Sequence, residues 1–415
     1  MKTLVIFTSY FPFNLYETYL EIEIHYLAKV FDEIYIISNE SDASFKRETP
    51  ANIKVFSVPY SLNFFDKISS WFQLFNSEFW KEIKFVRTQY KQPVTSKIVN
   101  TILQSLHKAK GLKATIEKFI PGITERKDVT LYSYWANDSA VSIAYLRKKY
   151  AHIKAVTRAH RWDVYFDTNE SNYLPFRKTL AQSLNHIYFI SDHAKNYFIE
   201  KTGLQEPSFY VSRLGVFSFS SPTQKQEPNT CHLVSCSHVY ARKRVALIAK
   251  ALRNVDDKYV IKWTHIGDGD HSMVELQEII DDIRKEKKNI TIDITGRMMQ
   301  EEVKQFYEQN YVDLFINVSE SEGVPVSIME SFSASIPAIA TDADGTREIV
   351  INKLNGFLVN CELSPSQLAG YIQEYIELPD KTKTIYRANA RKMYIEKYNE
   401  KNNYDDFIAS LLNIP

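Results

Sequence analysis

Short β-branched and aromatic runs alternate with stretches of helical period along the whole chain, and the alternation falls into two successive sets. The first set predicts strands over 3–8, 33–38, 53–58, 129–134, 153–158, 186–191 and 208–211. The second predicts them over 232–237, 260–266, 290–295, 312–318, 338–341 and 356–359. Between them, 17–30, 138–150, 194–202, 245–252, 273–287 and 300–310 repeat at helical spacing. Strand–helix alternation builds mainly parallel sheets, so the fold class is α/β with two doubly wound, Rossmann-like domains. The polar, Pro-containing run SFSSPTQKQEPNT within 215–231 breaks the period and reads as the hinge. The expected domains are therefore 1–215 and 216–390, with 391–415 a helix returning to the first domain. Ligands of such sheets bind beyond the carboxyl ends of the strands, so the expected site is a cleft where the two sheets face each other.

Composition narrows the class. The chain has 415 residues, 44% of them hydrophobic, 13% aromatic and 24% charged, which describes a globular protein of about two domains. The net charge of +1 disfavours nucleic acid as a partner. Three cysteines form neither a disulfide framework nor a zinc pattern. No apolar run reaches the roughly 18–20 residues of a membrane span, and MKTLVIFTSYFPF reads as a first strand with no cleavage site after it. The expected location is cytoplasmic.

The charge is uneven along the chain. Between 61 and 127, 12 basic residues stand against five acidic ones, a local net of +7. The same window carries Phe64, Phe65, Trp71, Phe72, Phe75, Phe79 and Trp80. Two readings of this region, 60–127, stay open. Its helices pack on the first domain with Lys outward, or they rest on an anionic membrane surface, the inner leaflet.

Glycine marks the second domain. Of only 11 glycines, seven lie between Gly215 and Gly356, most of them directly after a predicted strand. That points to close approach of a ligand backbone-side, with the second domain as the nucleotide side. In FINVSESEGVPVSIMESFSASIPAIATDADGTREIV a strand ends near Val318, a short polar loop follows, and a helix begins at about Val326. Glu322 lies in the loop, beside Gly323, and Glu330 on the helix, eight positions later. Carboxylates suit the vicinal hydroxyls of a sugar or ribose, and a helix start supplies N–H donors to an anion.

This ordered set, from Glu322-Gly323-Val324-Pro325 through Glu330, Pro337, Asp344-Gly345-Thr346-Arg347-Glu348 and Asn355-Gly356, resembles the Glu-x7-Glu signature of family 4 retaining glycosyltransferases, group 1 type. The resemblance implies the GT-B fold and a place in bacterial surface-polysaccharide synthesis. It places Lys243 as the diphosphate-binding lysine, with His238 where the family has an arginine, and Arg242 or Arg244 as compensating cations. Gly267 and Gly269 match the family's Gly-x-Gly, and Gly296 with Arg297 the loop that holds the base. In RAHRWDVY, His160 resembles the histidine that reaches the donor sugar, with Asp163 behind it. Asn14 and Glu17 fall in the counterpart of the family's opening loop and helix, where its glycine pair is missing; they and Asp163 are the expected acceptor side.

The function implied is transfer of a sugar, with retention, from a nucleotide-diphosphate sugar (UDP or GDP) to a glycan or lipid-linked acceptor, with no cofactor and no metal. His160, Glu322 and Lys243 are the expected catalytic residues. The two Asp-x-Asp triplets, Asp268–Asp270 and Asp342–Asp344, lack the setting of a metal site, and no P-loop or Ser nucleophile elbow appears. The alternative is a catalytically silent GT-B scaffold that binds a sugar nucleotide or glycan.

Overall fold

The computed structural model describes residues 2–14, 16–40, 45–59, 62–220, 222 and 229–414; Ser61 and most of the expected hinge lie outside them. The chain divides into two compact units, Met1–Leu214 with Asn402–Pro415, and Gly215–Lys401. Position 391, the expected start of the returning helix, falls inside helix Asp380–Lys397, which stays with the second unit. A break at Tyr398–Asn399 separates it from helix Glu400–Leu412, and the chain joins the first unit from Asn402.

The first unit holds seven parallel strands, β1 (Thr3–Thr8), β2 (Glu33–Ser38), β3 (Ile53–Ser57), β4 (Val129–Ser133), β5 (Lys154–Ala159), β6 (His186–Phe189) and β7 (Phe209–Val211), in the order β3-β2-β1-β4-β5-β6-β7. The second holds six, β8 (Thr230–Cys236), β9 (Val260–Ile266), β10 (Ile290–Gly296), β11 (Leu314–Asn317), β12 (Ala338–Thr341) and β13 (Gly356–Val359), in the order β10-β9-β8-β11-β12-β13. Both sheets are thus wound outward from a central pair, β1/β4 and β8/β11. This is the Rossmann order, and it fixes where a ligand crevice opens: beyond the carboxyl ends of those two pairs.

Central strands are buried on both faces, and the chain meets that demand with unbroken apolar runs. Leu4, Val5 and Ile6 of β1 and Leu314, Phe315 and Ile316 of β11 are all buried. The C-terminal helix contributes Phe407, Ile408 and Leu411 to a cluster under the first sheet that also holds Leu4, Ile6 and Tyr132. Beside Phe407 the cluster contains a fully buried ion pair. Arg158 Nη2 lies 3.1 Å from Glu23 Oε2, and Tyr132 donates to Glu23 Oε1 at 2.9 Å. The guanidinium also stacks 4.3 Å above the Phe407 ring, so a buried charge is matched by a carboxylate, a phenol and an aromatic face together.

Among the described residues, no helix is long and apolar enough to cross a membrane.

Candidate active site

The switch point of the second sheet collects most of the residues singled out by sequence. β8 ends at Cys236, and the loop after it carries His238, Arg242 and Lys243 before helix Val245–Leu252. β11 ends at Asn317, and the loop after it carries Glu322, Gly323, Val324 and Pro325 before helix Val326–Ser333. Because the two strands are neighbours, the two loops meet. Lys243 Nζ lies 2.5 Å from Glu322 Oε1, and Asn317 Nδ2 donates to the same oxygen at 3.4 Å. Burial alone would push the Glu322 carboxyl up. The Lys243 charge, with hydrogen bonds from Lys243, Ser319 and Asn317, more than offsets that and holds it below its ordinary value.

Glu330 has the opposite environment. It lies on the second turn of helix Val326–Ser333, half-buried, and burial pushes its carboxyl up to about 7. No hydrogen-bond donor or cation engages it among the described residues. Its charge is felt by Cys236, whose thiol burial pushes up to about 12, with Glu330 raising it further and Lys243 opposing. The end of β8 therefore lies within the fields of both Lys243 and Glu330. No side chain caps helix Val326–Ser333, whose first residue follows Pro325, so its leading N–H groups remain available as donors.

Two glycines are required by close approach. A Cβ on Gly267, where φ is 150°, would lie 1.9 Å from the Ser237 carbonyl oxygen. One on Gly345 would lie 1.7 Å from that of Gly323. These contacts press the loops after β9 and β12 against the loops after β8 and β11, which holds the crevice in shape. Gly269 pairs across to Val239 in the same seam, and Gly296 ends β10, with Arg297 exposed after it.

The remaining cations are placed differently from one another. Arg244 donates through Nε to the carbonyl of Val318 at 2.6 Å and through Nη1 to that of Cys361 at 2.5 Å, so its guanidinium ties the end of β11 to the loop after β13 and leaves Nη2 without a partner among the described residues. Arg242 lies over the Tyr240 ring and donates to its hydroxyl at 2.9 Å. His238 is exposed, with Nδ1 2.9 Å from Asp268 Oδ1. The acids of both Asp-x-Asp triplets have partners of their own: His238 for Asp268, the Ser272 N–H for Asp270, Arg347 for Asp342 and Ser321 for Asp344. Among the described residues no group of three or more His, Cys, Asp or Glu is arranged to hold a metal ion.

In the first unit, β5 ends at Ala159 and delivers His160, which is 5% exposed. Its ring is walled by Tyr134 and Trp135, with centroids 4.8 and 4.6 Å away, both just beyond the end of β4. Burial and the Arg158 charge drive its pKa down to about 3, so the ring is neutral, and Nε2 has no hydrogen-bond partner. Asp163 and Glu17 are both engaged by backbone N–H groups. Asp163 accepts from the Ala136 N–H at 2.5 Å and the His160 N–H at 2.6 Å, pinning the loop after β5 to the loop after β4. Glu17 accepts from the N–H groups of Ser9, Tyr10 and Phe11 at 2.9, 2.8 and 2.6 Å and from the Trp135 indole, which saturates its two oxygens. Asn14 donates to Glu40 Oε2 at 3.3 Å. Trp135→Phe removes one charge-assisted donor from Glu17 and should lower unfolding free energy by about 1–2 kcal/mol in a urea titration.

Sequence reasoning missed Tyr134, Trp135, Asn317 and Cys236. The first pair had a signal: two consecutive aromatics at the end of the predicted strand 129–134 and directly after it. Asn317 and Cys236 had none.

Residues 221–393 match the family model for glycosyl transferases group 1. The chain is 25% identical over 261 residues to the UDP-N-acetylglucosamine–peptide N-acetylglucosaminyltransferase GtfA subunit of Streptococcus agalactiae, covering 61% of this chain and 49% of that one. It is 26% identical over 208 residues to the O-antigen biosynthesis glycosyltransferase WbnH of Escherichia coli, covering 50% and 56%. The chain thus spans about half the length of these curated relatives. Among solved structures, a glycosyltransferase from Rickettsia africae superposes with a TM-score of 0.67 at 16% identity over 100% of this chain and 98% of that one. Anabaena HepE in complex with UDP gives 0.64 at 16% identity over 99% of each. At these identities the likeness concerns the fold, and that fold is GT-B.

Proposed function

We propose that this protein is a retaining glycosyltransferase of the group 1 type that moves a sugar from a nucleotide-diphosphate sugar to a hydroxyl of a glycan or lipid-linked acceptor without a metal ion. One observation carries the reading: a desolvated, unpartnered Glu330 beside the Lys243–Glu322 pair at the switch point of the second sheet. A ribose diol supplies the two donors that Glu330 lacks. Lys243 and the N–H groups at the start of helix Val326–Ser333 receive the diphosphate, and Glu322 holds a donor-sugar hydroxyl. The bond from the anomeric carbon to the diphosphate oxygen breaks and the acceptor oxygen bonds to that carbon on the same face. The acceptor proton passes to the departing phosphate, so no side-chain nucleophile is needed. By the family resemblance, His160, neutral and walled by aromatics, positions the donor sugar. UDP is the first nucleotide to test, since HepE was solved with UDP. A surface glycan is the expected product, by analogy with the O-antigen relative, at the inner face of the cytoplasmic membrane.

Thermal unfolding with UDP, GDP and ADP sugars tests the reading. Ligand at about 100 times its dissociation constant adds roughly 2.7 kcal/mol, a shift of a few degrees. A shift with one nucleotide class is expected; none with any would favour the silent scaffold. The affinity should also depend on pH. Glu330 must be ionised to accept from the diol, so with its acid near 7 affinity falls as pH drops through 7. A nucleotide sugar, whose diphosphate does not titrate there, should bind about tenfold more tightly at pH 8 than at pH 6.

A further inference from the structure

Part of the first unit has a face that nothing else in it covers. Phe64, Phe65, Trp71, Phe72, Phe75 and Trp80 are each more than half exposed, although Phe79 and Ile83 between and after them are buried. They lie on three consecutive short helices, Phe64–Ser69, Ser70–Phe75 and Ser77–Phe85. The hairpin is held in shape by its own contacts: the Trp80 indole donates to the Leu74 carbonyl at 2.8 Å, and its ring packs edge-on against Phe79. An ordered aromatic face of this extent in water is an interaction surface.

The same helix borders a cavity of about 350 Å³ whose lining includes Lys81, Lys84, Lys148 and Lys178 with Thr88 and Thr179. Two acids also border it. Glu78 pairs with Lys81 at 2.7 Å and approaches Lys148 at 3.8 Å. Glu82 is buried and turned to the Tyr173 hydroxyl and the Phe176 N–H, at 2.7 and 2.9 Å. That leaves Lys84 and Lys178 with no carboxylate among the described residues; Lys178 lies 5.6 Å above the Phe85 ring. Trp80 and Lys84, four apart on helix Ser77–Phe85, share one side of it, so the aromatic face and the basic cavity adjoin.

We propose that this cavity seats the phosphate of an anionic phospholipid while the adjoining aromatics enter the headgroup region of the bilayer. The inference deepens the membrane contact in the functional reading above and rests on it. Charge decides the occupant. Two ammonium groups with no carboxylate partner among the described residues border a space large enough for a phosphodiester, at the edge of a surface that would itself prefer a membrane interface to water.

The test is co-sedimentation of the full chain with vesicles of phosphatidylcholine alone or with a third phosphatidylglycerol. Lys84→Gln with Lys178→Gln should weaken binding to the anionic vesicles by about 30-fold, about fivefold per lysine. Lys118→Gln with Lys127→Gln, an equal charge change outside the cavity, should weaken it far less. Phe72→Ser with Phe75→Ser should weaken binding to both compositions by about 100-fold. Equal losses from the two lysine pairs would overturn the seat and leave only diffuse attraction. Failure of the unaltered protein to bind either vesicle would overturn the membrane contact as a whole. Lysine-dependent binding of inorganic phosphate without vesicle binding would make the cavity a soluble-phosphate site and overturn the lipid assignment. The thermal shift with nucleotide sugars reads the donor site separately from all three.

Discussion

Lys243→Ala is expected to lower sugar transfer by about a thousandfold. Two effects act together. In the proposed reaction the ammonium receives the departing diphosphate, and losing one preorganised charge at a developing anion costs about 3–4 kcal/mol of transition-state stabilisation. Its removal also frees Glu322, whose carboxyl is held low chiefly by Lys243, 2.5 Å away, with Ser319 and Asn317 assisting. Unpaired and buried, Glu322 would rise in pKa and lose the charge with which it accepts a sugar hydroxyl. Initial rates with saturating donor check this, and the kinetics should separate the effects. Lys243→Arg keeps the charge and should recover part of the rate, whereas Glu322→Gln should fall without recovery. Near-normal turnover in Lys243→Ala would remove the lysine from the mechanism.

Glu330→Gln is expected to weaken nucleotide-sugar binding by at least about 100-fold and yet make the unliganded protein more stable. The carboxyl is raised to about 7 by burial, so the folded state binds its proton more tightly than the unfolded state does. The sign follows: the stabilising protonation is complete below the unfolded value of 4.5 and is lost as pH rises through 7. At pH 8 the ionised group therefore costs the fold energy. After allowance for its partial exposure the cost is about 1–2 kcal/mol. A neutral amide avoids it. Urea unfolding should show the variant more stable than the parent at pH 8 and little different at pH 5. Isothermal titration with the nucleotide sugar should show affinity reduced by at least about 100-fold, with the pH dependence gone. A residue that only supports the fold would lose stability on replacement, so the two measurements together distinguish a ligand-binding carboxylate from a structural one.

The site in the second unit was largely legible before the fold was. Its residues lie in two short loops, each a few positions after a strand, and the local pattern of strand, polar loop, glycine and helix start is itself the chemistry. Arg244 shows where that kind of reading stops. Beside Lys243 in sequence, it takes a left-handed backbone conformation (φ 50°) that turns its side chain to the carbonyls of Val318 and Cys361. Glu17 and Asp163, singled out for the acceptor side, show a related limit. A carboxylate saturated by backbone N–H groups from neighbouring loops has the same sequence appearance as one waiting for a sugar. The aromatic stretch was half legible: its composition showed an amphipathic surface, but only the packing showed that Phe79 and Ile83 satisfy the interior while Phe72 and Phe75 do not.

Periodicity and residue spacing by themselves determined thirteen strands in two sets and the succession of a loop carboxylate and one on the following helix. All are local properties, carried by residues within a turn or a strand of each other. The strand order belongs to the tertiary structure. So do the contact that sets Lys243 against Glu322 across 79 positions of chain, the isolation of Glu330, the saturation of Glu17, and the basic cavity under the exposed aromatics. Each depends on which distant segments are brought side by side, and on how much water the packing leaves around a charge.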